Sequence, residues 1–178
     1  MDKQTHLRLL GTELREFLDV TNKEIADFNA LADKLDDDQF TRRLRVRVVF
    51  SSIEAHISHL KASSMAFSLT EEEMFSAKEQ FELLDQRLTS TGKIVENRPS
   101  LKENIKIAFK AFSKATSSGY IVDYGTTDAQ RFFLAAEIRN RITHPKSAKD
   151  WSLSEEDIEQ INAAWIWFGQ HLANVGKL

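Results

Sequence analysis

Residues 39–67 read QFTRRLRVRVVFSSIEAHISHLKASSMAF, a stretch without glycine or proline. At about 100° per residue, Val46, Val49, Phe50, Ile53, Ile57, Leu60 and Phe67 fall on one apolar stripe of a helix, while Leu44, Val48, Ala55 and Met65 form a second stripe on the far side. A helix that is apolar on two faces must be covered from both, so the spacing predicts a central bundle helix over 39–67. The expected fold is therefore all-α: a single-domain helical bundle of about five to seven helices spanning residues 1–178.

Composition agrees with that expectation. The chain holds only 6 glycines and 2 prolines, too little punctuation for a many-stranded sheet. With 178 residues and 42% hydrophobic content it can bury one proper core and is too short for two comfortable ones. A net charge of -3 excludes a broadly basic nucleic-acid coat, so any such contact rests on local arginine and lysine clusters. The absence of cysteine excludes disulfides and thiolate metal sites. Asp2, Lys3, His6 and Arg8 interrupt the first leucines, and no run approaches the roughly 18 apolar residues of a membrane span. The expectation is a soluble, cytoplasmic protein with no membrane association, no cofactor and no metal.

The central helix also carries polar features. Arg43, Arg47, Glu54, Ser58 and Lys61 form a line between the two stripes. The plainer reading is a solvated, partly paired edge; in the sharper one, Arg47 or Glu54 faces a functional site and orients its side chains. Arg42, Arg43, Arg45 and Arg47 crowd into six positions but spread over more than half of the circumference, so they cannot all serve one ligand. Solubility and ion pairs with the preceding aspartates account for them, with RNA-phosphate contact as the alternative. His56 and His59 stand at i, i+3 without a carboxylate in step, which favours surface or capping roles over metal binding.

Upstream, Leu7, Leu10, Leu14, Phe17 and Leu18, then Ile25, Phe28, Leu31, Ala32 and Leu35, keep helical spacing. They predict one bent helix or two short ones from Lys3 to about Leu35. Asp36, Asp37 and Asp38 read as a solvated turn that places negative charge at the next helix start. Downstream, Thr70 and Glu73 read as a capping box opening a helix to about Leu88, with Met74, Phe75, Phe81, Leu84 and Leu88 inward. A loop over 89–99 includes a short strand-like piece at Lys93–Glu96, and a helix follows from Ser100 to about Ser117.

The most chemical stretch is FFLAAEIRNRITHP, residues 132–145, whose helix is expected to open at a cap on Thr127 or Asp128. Leu134, Ala135, Ile138 and Ile142 make one buried face, leaving Arg139, Asn140 and Thr143 on another flank. Pro145 disfavours α conformation at His144, so the helix should stop near Thr143. On an unbroken helix Arg139 and His144 would lie roughly 140° apart; the break is what would let them converge. Beyond it come a loop with Trp151 and a last helix opening at Ser154, with Asp157 helping to cap it. Ile158, Ile161, Trp165, Phe168 and Leu172 form the core stripe of that helix, and Trp167 lies off it, marking either a partner surface or packing within the chain.

Arg139-Asn140, three intervening residues and His144 resemble the arginine, polar residue, x, x, x, histidine signature of the HEPN superfamily. The preceding apolar helix, the proline, the Trp151 loop and the final amphipathic helix resemble prokaryotic members. The resemblance is strongest from about Ile105 to the end of the chain. It implies a metal-independent endoribonuclease that works as a homodimer, with two copies of the motif forming one composite cleft. It also implies a toxin or phage-defence role, with an antitoxin or regulatory protein as a partner.

The chemistry of the residues suits that expectation. Cleaving RNA with its own 2′-hydroxyl requires a base for that hydroxyl, an acid for the leaving 5′-oxygen and cationic donors on the phosphorane. His144 offers an imidazole that can act as base or acid, Arg139 a guanidinium that can grip phosphate oxygens, and Asn140 can orient phosphate or imidazole. A second proton carrier is missing within one chain, and a twofold dimer would supply it. Arg141, Lys146 and Arg47 are candidate phosphate contacts, and Glu54 a candidate positioning residue. The opposing view is that Arg139 pairs with Glu54 or Glu137 and His144 merely terminates a helix. The chain would then be a non-catalytic dimeric module that binds RNA, a nucleotide or a protein.

Overall fold

A computed structural model describes residues 3–32, 34–68 and 74–175. Among them are six α-helices and one small hairpin: α1 (Lys3–Ala32), α2 (Gln39–Ser68), α3 (Ala77–Leu83), β1 (Gln86–Leu88), β2 (Ile94–Glu96), α4 (Leu101–Ala115), α5 (Thr127–Thr143) and α6 (Glu155–Val175). The fold is all-α, as the periodicity predicts. No helix among the described residues is long and apolar enough to cross a membrane.

The chain divides into two compact units; the divisions fall inside helices α1, α2 and α6 and in the loop between α4 and α5. One unit holds Leu18–Glu54 and Asp123–Ala173; the other holds Ala55–Val122 with the residues up to Phe17 and those from Asn174 onward.

In the first unit, α2 begins where Asp38 caps it, its carboxylate accepting the Thr41 amide at 2.8 Å. Val46, Val49, Phe50 and Ile53 are buried on its inner face. Thr126, one residue before the expected cap, accepts the Ala129 amide at 3.2 Å and opens α5. Phe132 sits at the centre of an aromatic cluster, with its ring centroid 6.4 Å from Phe50, 6.5 Å from Phe168 and 4.8 Å from Trp167. Trp167 is thus a core residue, buried to 4% exposure, and not a partner surface. One expectation for the inward face of α5 is also corrected. Leu134 is 50% exposed, because Phe132, Phe133 and Ala136 define the inward face together with Ala135, Ile138 and Ile142. The helix α6 opens on the expected pair: Ser154 accepts the Asp157 amide at 3.1 Å while Asp157 accepts the Ser154 amide at 2.9 Å.

In the second unit, the Thr70–Glu73 stretch proposed as a capping box lies outside the described residues. Within them the box belongs to Ser76 and Glu79, and α3 stops at Leu83. The helix ends early because Asp85 takes a left-handed conformation (φ 52°) and the chain turns into the hairpin, pairing Gln86 with Glu96 and Leu88 with Ile94. Leu83 and Phe75 are therefore buried with Ala111 and Ala115, whereas Leu84 and Leu88 face outward. Ser100 and Glu103 form a second capping box at the start of α4.

Polar groups on α2 are buried as well. Lys61, expected on a solvated edge, is 4% exposed, and its ammonium donates to Asp85 at 2.5 Å and Asn104 at 3.1 Å. His56 and His59 are not surface residues either. Phe17 meets His56 edge-on at 5.2 Å and stacks flat on His59 at 4.3 Å. Burial, with His56 close by, lowers the His59 pKa.

Candidate functional site

The stretch from Arg139 to Pro145 closes α5 as its sequence predicts. His144 is the C-cap, its amide donating to the Asn140 carbonyl at 3.0 Å, and Pro145 blocks a further turn. The Thr143 hydroxyl turns back onto the Arg139 carbonyl at 2.7 Å.

Arg139 points toward α2 and donates to the Glu54 carboxylate. A second N–H of the same guanidinium donates to Asn140 Oδ1 at 3.0 Å. The contact chosen by Glu54 is the one that both the positioning and the structural views of this residue allowed for. Neither side chain is fully buried, at 27% exposure for Arg139 and 41% for Glu54, so the pair remains reachable by a ligand.

Around this pair lies an open cleft of about 410 Å³ lined by Arg47, Phe50, Ser51, Glu54, Arg139, Ile142, Thr143 and Trp151. It carries two guanidinium groups against one carboxylate, a local positive balance on a chain whose net charge is -3. Arg47 is exposed, and no acidic group among the described residues pairs with it.

The crowded arginines divide their tasks. Arg42 grips Asp37 with two N–H groups, at 2.9 and 2.5 Å, and gives a third to the Leu153 carbonyl at 3.0 Å. Gln39 clamps Leu153 from both sides, donating to its carbonyl at 2.9 Å and accepting from its amide at 2.8 Å. Arg43 donates to the Trp151 carbonyl at 3.0 Å and lies over the indole, 5.2 Å from the ring centroid. These bonds fix the 151–153 segment against the start of α2, which brings Trp151 to the cleft.

The remaining candidates are placed differently. Arg141 donates to Asp157 at 2.8 Å and to the Ser152 carbonyl at 3.3 Å, so its charge is engaged within the chain and not presented as a free phosphate contact. Lys146 has an exposed side chain; its amide and that of Ser147 donate to Asp150 at 2.7 and 2.8 Å, holding that carboxyl below its usual pKa and stabilising the 3₁₀ turn Ala148–Trp151. Asn140 is exposed beside Arg139. His144 is exposed, does not line the cleft and has no hydrogen bond from its imidazole to Arg139. The break at Pro145 therefore leaves His144 outside the lining of the cleft that holds Arg139.

Trp151, which the sequence places in a loop without a site role, lines the cleft. Its local signals are those of an ordinary loop; only the bond to Arg43, 108 residues earlier, gives it a position. Among the described residues no cluster of three or more His, Cys, Asp or Glu side chains could hold a metal ion. No family model, no curated protein and no solved structure matches the chain.

Proposed function

We propose that this chain acts on RNA, as a metal-independent endoribonuclease of the HEPN type. The observation that carries this reading is the Arg139 guanidinium, oriented by Glu54 and Asn140 at a cleft that also holds Arg47, a cation with no acidic partner among the described residues. A base at His144 would take the 2′-hydroxyl proton as that oxygen attacks the adjacent phosphorus. Arg139 would receive the charge gathering on the phosphorane oxygens. Proton donation to the departing 5′-oxygen completes the step, leaving a 2′,3′-cyclic phosphate and a 5′-hydroxyl. The acid would be supplied by a second copy of the chain in a homodimer, since one chain offers a single exposed histidine at this end of α5 and the step needs two proton carriers. A toxin or phage-defence role in the cytoplasm, restrained by an antitoxin or regulatory protein, is the setting that the resemblance implies.

One observation favours a second reading. Arg139 already has a carboxylate partner and His144 is not among the residues that line its cleft, as expected of a module that binds RNA, a nucleotide or a protein without cleaving it. Incubating purified protein with total RNA and excess chelator separates the two. Cleavage that disappears in Arg139→Ala and His144→Ala, with cyclic phosphate on the new ends, supports the nuclease. Intact RNA, or cleavage that survives both substitutions, supports the module.

A further inference from the structure

We infer that Trp151 and Arg47 form a subsite for one unpaired RNA nucleotide, the base stacking on the indole and the phosphate held by the guanidinium. This deepens the nuclease reading and rests on it for the choice of RNA as ligand. The indole is 41% exposed and borders the cleft, an unfavourable position for so large an apolar surface unless something covers it. It is nonetheless held in place. Arg43 lies over the ring and bonds the Trp151 carbonyl at 3.0 Å, so the ring loses little freedom when a base arrives. Arg47 lines the same cleft with no partner of its own among the described residues, in contrast to Arg42, Arg43, Arg139 and Arg141, each of which is bonded within the chain.

A flat aromatic surface beside a free guanidinium matches the chemistry of a nucleotide, which joins a π-face to a phosphate. A volume of about 410 Å³ lies at the small-ligand end of binding pockets and has room for a single nucleotide, not for a duplex. In a double helix the bases are already stacked on one another and closed to the indole, so the subsite selects single strands and loops. That selection would set a splayed nucleotide next to Arg139, where the adjoining phosphate is to be cleaved.

The test uses the full chain carrying His144→Ala, so that the probe is not consumed. A fluorescein-labelled oligoadenylate is titrated by anisotropy, alone and annealed to its complement, against this parent and versions with Trp151→Leu, Trp151→Phe or Arg47→Ala. Leucine keeps apolar bulk but loses the π-face, and should weaken single-strand binding by at least about fivefold, whereas phenylalanine should retain more of it. Arg47→Ala should weaken binding and flatten its salt dependence by about 0.7 in the log–log slope, one phosphate contact on a single strand. The duplex should bind more weakly than the single strand. Binding unchanged in the folded leucine variant, equal affinity for duplex, or no binding by the parent would overturn the subsite. A wild-type protein that leaves RNA uncut while binding depends on Trp151 would instead overturn the nuclease and leave the subsite standing. Cleavage with no dependence of binding on Trp151 would do the reverse.

Discussion

The guanidinium of Arg139 bonds the carboxylate of Glu54, a residue 85 positions earlier in the chain. Because both side chains are partly solvated, the pair contributes only about 0–1 kcal/mol to stability, and its worth lies in orientation. Arg139→Ala should therefore melt close to wild type while reducing RNA cleavage by at least about 100-fold. Glu54→Gln, which keeps an acceptor but loses the charge, should fall between them in rate. Melting curves with single-turnover cleavage check both; a large stability loss with no activity to lose would mark the pair as structural.

The two sides of α5 should respond oppositely to truncation. Ile142 is 1% exposed and Leu134 is 50% exposed. Ile142→Ala should cost about 2–5 kcal/mol by urea denaturation, and Leu134→Ala within about 0.5 kcal/mol.

Arg141 is expected to matter for stability before it matters for RNA. Its bonds to Asp157 and the Ser152 carbonyl join the end of α5 to the start of α6, so Arg141→Ala should lower stability by about 1 kcal/mol. RNA affinity measured at a temperature where the variant stays folded should change less than it does for Arg47→Ala.

Acid sensitivity should be traceable to Glu79. Lys114, at 2.9 Å, and the Ser76 cap hold its pKa at about 2, well below the ordinary 4.5 of a glutamate. A carboxyl with a lowered folded pKa adds stability that is fully present above the unfolded value and is lost as pH falls through the folded one. Wild type should thus exceed Glu79→Gln in denaturation midpoint at neutral pH, and the gap should close between about pH 4.5 and pH 2. His59 acts in the window above. Burial lowers its pKa below 6.5, so its contribution is present above that value and declines as the pH falls further.

Pairing of chains is open to a direct measurement. The spacing of α5 suggests small Ala136 as an exposed point where the α5 helices of two copies approach, but it is 8% exposed within the chain, so a dimer must use other surface. A mixed dimer of one wild-type and one His144→Ala chain should lose nearly all cleavage if the cleft needs both histidines, and keep about half if the sites are independent.

Local chemistry alone accounts for most of the helix positions. The two-stripe pattern of 39–67, the Ser154–Asp157 cap and the stop at Pro145 each depend on residues within one or two turns of each other, where side-chain spacing and backbone preference act directly. The capping box at Ser76 was also written in the sequence, with Glu79 three residues on, although Thr70 and Glu73 made the same pattern nearby. What the sequence could not specify is which distant group arrives opposite a given side chain. Lys61 looks like a solvated cation until Asp85 and Asn104 surround it, and Trp167 like a stray surface indole until Phe132 covers it. The cleft is decided in the same way. Arg139 meets Glu54 and Trp151 meets Arg43 only because packing brings α5 and the 151–153 segment onto α2, and no periodicity within any one helix encodes that encounter.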